Sequence, residues 1–183
     1  MLERLSPRTV LCGHYGSGKT NLTVNLALLA ARAGDKVTVV DMDIVNPYFR
    51  TADFRELFRN TGVELIAPLY AGTNLDIPVL PPSVRTLVRS GKGRFFLDLG
   101  GDDDGAVALG GFSADLKAMG YTMVYVVNSR REPDPDPGEE ASLLARIQAV
   151  SRLQVTWLVN NTNLGPETTS DVIRGSLPYL EEV

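Results

Sequence analysis

Thr9-Val10-Leu11-Cys12, then Gly13-His14-Tyr15-Gly16-Ser17-Gly18-Lys19-Thr20, then Asn21 and the run from Leu22 to Arg32, is the stretch that decides the fold. The central octet fits the spacing Gly, four residues, Gly-Lys-Thr, and its flanks read as a short buried strand and a helix. A strand, a tight glycine turn and a helix start are what a phosphate cradle needs. Gly13, Gly16 and Gly18 let backbone N–H groups wrap an anion without Cβ clashes, and the helix N-terminus adds partial positive charge. Lys19 would reach the β- and γ-phosphates of a nucleotide, and the Thr20 hydroxyl would ligate Mg²⁺. His14, Tyr15, Ser17 and Asn21 complete the candidate nucleotide-binding segment. A chance glycine-rich turn would not require both flanks.

At 183 residues and 44% apolar content, the chain is expected to form one nucleotide-binding domain over residues 1–183 with a real core. The net charge of −4 argues against a general nucleic-acid surface but leaves room for a local basic patch. The lone Cys12 has no intramolecular disulfide partner and reads as an inert thiol within the first strand. No apolar run approaches membrane-spanning length, Met1 to Pro7 lacks a signal-peptide core, and a cytoplasmic protein is expected.

Further along, Lys36 to Asp41 reads as a second strand, so the chain opens β-α-β and a parallel β1–β2 pair is expected. Asp41-Met42-Asp43 leaves that strand with two carboxylates. A short helix over Ala52 to Arg59, an apolar run Val63 to Ala67, a loop over Pro68 to Pro82 and a helix to Arg89 follow. Phe95-Phe96-Leu97-Asp98 is then a strand ending in an acid, and Leu99 to Gly105 reads as a flexible acidic loop. Ser113 should cap a helix from Ala114 to Met119. A strand over Met123 to Asn128, a helix over Glu139 to Leu153, a strand over Val155 to Val159 and a last helical stretch near Pro166 complete the pattern. Alternating strands and helices imply an α/β, doubly wound, mostly parallel sheet with helices on both faces. In such sheets ligands bind at the carboxyl ends of the strands. The Gly13 loop, Asp41 and Asp43, Asp98 with Gly100 and Gly101, and Asn160 all sit at such ends.

With these four motifs placed, the sequence resembles the MinD/ParA/Mrp and CobQ/CbiA group of P-loop NTPases, to which the nitrogenase iron protein is related. The resemblance covers nearly the whole chain. It implies that Asp43 orients or activates the attacking water, and that Asp41 and Asp98 lie near Mg²⁺. It also implies that the Gly101 N–H senses the γ-phosphate and that Asn160 hydrogen-bonds the adenine edge. Asn161 or Asn163 could serve instead, and Asp41 and Asp43 could simply form a turn. Asp102, Asp103 and Asp104 read as a solvated loop and helix start.

Guanine-specific relatives use Asn-Lys-x-Asp, whose final carboxylate accepts from two guanine donors. Here the tetrad is Asn160-Asn161-Thr162-Asn163, and a terminal amide cannot present two acceptor oxygens, so ATP is expected over GTP. Relatives that dimerise around ATP carry a lysine where this chain has His14, so slow hydrolysis and a weak ATP-dependent homodimer are expected. Arg130 or Arg131 could compensate across such an interface. Relatives also continue into another strand, so the chain is expected to be short at its C-terminus. Three functions stay open: a Mg-dependent ATPase switch for an unidentified protein partner, a carboxylate-activating enzyme of the CbiA or dethiobiotin synthetase kind, and a nonhydrolytic scaffold or metal-insertion accessory.

Overall fold

The computed structural model describes residues 2–43, 51–67, 82–101, 103–132 and 135–183. Six short runs rich in β-branched and aromatic residues form strands: β1 Arg8–Cys12, β2 Val37–Met42, β3 Glu64–Ile66, β4 Arg94–Leu99, β5 Thr122–Val127 and β6 Trp157–Asn160. They make one sheet in the order β3-β2-β4-β1-β5-β6, and every neighbouring pair is parallel. Parallel neighbours need crossovers, and the intervening helices supply them.

Helices cover both faces, as the alternation implies. One face packs Leu11, Val39, Phe96 and Val124 against α1 (Lys19–Arg32) and α2 (Arg55–Thr61), whose Val24, Ala27, Ala30 and Phe58 point inward. The other packs Val10, Val40, Leu97 and Met123 against α3 (Pro82–Ser90), α4 (Asp103–Gly110), α5 (Ser113–Met119) and α6 (Pro137–Ser151). Alternate residues of the central strands therefore serve opposite cores, and β1, β2, β4 and β5 read as near-continuous apolar runs because both their faces are covered. Each large aliphatic or aromatic side chain so buried contributes about 1.5–3 kcal/mol. The short α7 (Ser170–Gly175) and α8 (Leu177–Glu182) follow β6.

Three expectations need correction. β1 and β2 do not pair, because β4 lies between them and bonds to both. That insertion brings Asp98 beside the glycine loop, in register with Leu11 on one side and Asp41 on the other. Second, the acidic glycine-rich stretch after β4 does not stay irregular. Its later part forms α4, which buries Ala106 and Leu109 at helical spacing, so tertiary burial overrides the low helix propensity of Gly105 and Gly110. Third, Ser113 is the first residue of α5 rather than its cap, and its hydroxyl donates to the Gly110 carbonyl at 3.0 Å. The expected loop, up to residue 81, lies outside the described residues, as do Tyr48, Phe49 and Arg50, which the sequence places beside Asp43 as a candidate nucleotide-sensitive contact.

Candidate functional site

The glycine loop runs from the end of β1 into the first turn of α1, directly under the carboxyl edge of the sheet. Gly18 has φ 89°, and a Cβ there would collide with the side-chain amide of Asn161. That amide is placed by β6, whose hydrogen bonding continues through Asn161 N–H to the Val127 carbonyl at 2.7 Å. Asn161 Nδ2 in turn donates to the Ser17 carbonyl at 2.7 Å. The loop is thus braced from the β6 end, and only glycine fits against the brace.

Lys19 is buried to 7% exposure, and its ammonium donates to the His14 carbonyl at 2.9 Å, closing the loop on itself. Thr20 Oγ1 donates to Asp98 Oδ2 at 2.9 Å, and the Thr23 hydroxyl lies 3.2 Å from Asp98 Oδ1. Burial pushes the Asp98 carboxyl up to about 7, against the opposing pull of the Lys19 charge and the Thr20 hydrogen bond, while Asp41 adds to the rise. A buried carboxylate held this high gains from any cation brought beside it. The donors are all hard oxygens: the Thr20 hydroxyl, Asp98 and the neighbouring Asp41. No cluster of three or more His, Cys, Asp or Glu residues able to hold a metal exists among the described residues. Mg²⁺ takes one or two carboxylates and completes its shell with water and phosphate oxygens, and Thr20, Asp98 and Asp41 are donors of that kind.

Asp41 accepts from the backbone N–H of Asp43 at 3.0 Å and of Ala52 at 3.1 Å. It therefore anchors the turn leaving β2 as well as lying next to Asp98. Asp43 sits half-buried at the end of the described part of that turn. Gly101 approaches the loop so closely that a Cβ would sit 2.6 Å from the Tyr15 backbone nitrogen. The segment after β4 and the loop after β1 are in backbone contact. Cys12 is the buried thiol expected, pushed up to about 12 by burial.

Asn160 has its amide engaged on both sides. Nδ2 donates to Ser176 Oγ at 2.8 Å and to the Ile173 carbonyl at 3.4 Å, and Oδ1 accepts from Thr162 N–H at 3.0 Å. Reaching a base would require giving up these bonds.

Sequence reasoning missed Asn128, whose Oδ1 accepts from both Arg130 N–H and Asn163 N–H and so ties the loop after β5 to the loop after β6. It missed Thr23 as well, although a Thr one turn after Thr20 on the same helix face was a usable signal. Arg131 also belongs to this site: its aliphatic stem would be 3.3 Å from a Cβ on Gly16.

Two cavities flank the loop. One of about 350 Å³ is lined by Arg130, Arg131, Glu132 and Leu164. The other, about 560 Å³, lies between His14 and the start of α6, where Asp136, Ser142 and Arg146 line it.

The chain has no significant match among curated protein sequences. Among solved structures it is similar to the signal recognition particle receptor FtsY from Elizabethkingia anophelis, at 20% identity and TM-score 0.54 over 93% of this chain and 55% of that one. It is also similar to the cell division protein FtsY from Thermotoga maritima, at 18% identity and TM-score 0.55 over 97% and 60%. The VpsO kinase domain matches at 14% identity and TM-score 0.55 over 85% of each chain. At these identities the likeness is one of fold, and the chain spans little more than half the length of the FtsY structures. The CobQ/CobB/MinD/ParA nucleotide-binding domain model matches residues 9–163, from the first residues of β1 to the loop after β6. By that match, and by the glycine loop, Thr20 and Asp98 it encloses, the chain belongs to the CobQ/CobB/MinD/ParA nucleotide-binding domain family.

Proposed function

We propose that the chain binds Mg·ATP in the Gly13–Thr20 loop, hydrolyses it slowly, and acts in the cytoplasm as a nucleotide-controlled switch for a protein partner. The observation that carries this reading is the Thr20–Asp98 hydrogen bond at the mouth of the loop, with Asp41 in register beside it. Incoming phosphates draw Lys19 off the His14 carbonyl, and the loop amides wrap the anion. Thr20 and Asp98, with Asp41 nearby, would hold Mg²⁺, whose charge would offset that of the phosphates. Asp43 orients the attacking water, and the Gly101 N–H meets the γ-phosphate. Because Gly101 already abuts Tyr15, a γ-phosphate entering or leaving has to shift the segment after β4, and this supports a switch. The base lodges between the loops after β5 and β6, against Leu164 and the Arg130 backbone, while Asn160 braces the α7 end. Weak self-association around ATP belongs to the same reading, with His14 supplying less charge than a lysine.

Calorimetric titration with Mg·ATP and Mg·GTP tests the binding step, and tighter GTP binding would overturn the base assignment. For hydrolysis, Asp43→Ala should leave ATP affinity within about twofold and lower turnover on the order of 10- to 100-fold, because water orientation acts mainly on the transition state. Unchanged turnover would make Asp43 a turn residue and favour the nonhydrolytic scaffold or metal-insertion reading.

The 560 Å³ cavity supports a second reading, since His14 and Arg146 beside the loop could receive a small carboxylate for activation by ATP. In that case a carboxylic acid, rather than a macromolecule, should stimulate ATP turnover and yield a carboxylate-derived product. A metabolite screen read by phosphate release separates the two.

A further inference from the structure

The net charge of −4 hides a strong asymmetry along the strand axis. All the loops that enter strands lie at the edge opposite the glycine loop, because every strand runs the same way. Arg32, Arg89 and Lys117 occupy the last turns of α1, α3 and α5 there, as helix dipoles favour. The dipole does not ask for the others. Arg4 precedes β1, Lys36 precedes β2, Lys92 precedes β4, and Arg152 lies beyond the end of α6. All seven side chains are exposed.

Acids at this edge are few. Asp35 is taken by Arg94 at 2.7 Å, Asp115 faces Arg89 at 3.4 Å, Glu64 at the start of β3 accepts from Thr38 Oγ1 at 3.2 Å, and Glu3 is exposed beside β1. Arg32, Lys36, Lys92, Lys117 and Arg152 make no ion pair with a described residue. The glycine-loop edge mixes both signs, with Asp43, Glu132, Asp136 and Glu139 alongside Arg130, Arg131 and Arg146, and Arg131 pairs with Glu132.

The basic edge is also one continuous, tightly tied floor. A Cβ on Gly93 would lie 2.7 Å from the Lys36 carbonyl, Arg8 donates to the Gly91 carbonyl at 2.8 Å, and Ser6 Oγ donates to the Gly120 carbonyl at 2.9 Å. Tyr121 and Gln154 close the far side, with the Gln154 N–H donating to the Tyr121 hydroxyl at 2.8 Å. From β2 to β6 the floor spans about 19 Å at the usual strand spacing. Its positive charges are spread over this width rather than lined up.

We propose that this floor is an electrostatic docking surface for an anionic phospholipid bilayer. Its planar spread of unpaired lysines and arginines matches a planar field of lipid phosphates, whereas the opposite edge mixes acids and bases and is attracted less, so that the glycine loop faces away from the lipid. Leu29 is 52% exposed one turn before Arg32, an apolar side chain beside basic ones that suits a headgroup boundary. Nucleic acid fits less well. The floor is built of short loops, with no projecting helix or two-stranded ribbon to enter a groove. The aromatic rings at this edge are already engaged: the Arg4 guanidinium lies over the Trp157 ring at 4.7 Å and the Tyr121 hydroxyl is bonded to Gln154. This surface stands independently of the nucleotide chemistry.

The test is co-sedimentation of the full chain with phosphatidylcholine vesicles, with and without phosphatidylglycerol, at low and high salt. Binding is expected only to the phosphatidylglycerol vesicles and should weaken steeply with salt. Combining Lys36→Glu, Lys92→Glu and Lys117→Glu should weaken it by more than about a hundredfold, because each change removes one favourable charge interaction and adds a repulsive one. The same three positions changed to Gln should give a smaller loss in the same direction, and thermal melts of both triple variants confirm that they fold. Failure of the wild type to pellet with phosphatidylglycerol vesicles would overturn the proposal. So would charge-reversed protein that binds as well as wild type, or duplex DNA that displaces the vesicles at equal phosphate concentration.

Discussion

Lys19→Ala is expected to lower ATP affinity by on the order of a hundredfold or more while the protein stays folded. The ammonium sits in a buried loop, 2.9 Å from the His14 carbonyl, and is the one cation among the loop residues 13–20. A charge-assisted contact to phosphate in such a place contributes about 1.5–3 kcal/mol, and Lys19 would reach two phosphates. The folded state loses the bond to the His14 carbonyl and the attraction of Lys19 for Asp98, and it is relieved of a buried charge, so the effects on stability partly offset. Titration calorimetry with Mg·ATP measures the loss, and circular dichroism checks the fold. An alanine variant that binds ATP as tightly as wild type would sink the assignment of this loop as the nucleotide site.

What made Lys19 readable from sequence is that its role depends on local chain geometry alone. Strand, turn and helix start are contiguous, and the apolar runs of the central strands β1, β2, β4 and β5 were likewise visible because both their faces are buried, while the edge strands β3 and β6 are only partly covered. Asp98 was readable for a weaker reason, as an acid ending an apolar run. That it bonds Thr20 follows from strand order, which no local pattern encodes: β4 enters between β1 and β2, across a separation of 78 residues.

The same limit explains Asn160 and Asn161. Adjacent, chemically identical side chains at a strand end face opposite ways, one toward Ser176 and the other toward Ser17. Only the pleat and the packing of α7 decide which is which. α4 was hidden by its glycines, since the burial of Ala106 and Leu109 that stabilises it comes from the sheet and α6 rather than from propensity.

Asp98→Asn should move stability and function in opposite directions. In wild type, burial raises the carboxyl from 3.8 to about 7, so folding at higher pH holds a charge in a site that disfavours it. The sign follows: the folded state binds the proton more tightly than the unfolded chain. Stability is therefore greatest below about pH 4 for this group, falls as pH rises from there to about 7, and stays low above. An amide of the same shape carries no such cost and keeps its oxygen for the Thr20 hydroxyl. In EDTA at pH 8 the variant should unfold later than wild type, by about 1–3 kcal/mol, and the gap should close as the pH is lowered toward 5. With Mg·ATP the order should reverse, because the neutral oxygen no longer balances the ion, and nucleotide affinity in the presence of Mg²⁺ should fall on the order of tenfold to a hundredfold. Paired thermal melts in EDTA and in Mg·ATP read both effects on one sample. If the variant were less stable than wild type in EDTA and equally stabilised by Mg·ATP, Asp98 would be a structural hydrogen-bond acceptor for Thr20 and Thr23, and the metal would have to be held elsewhere.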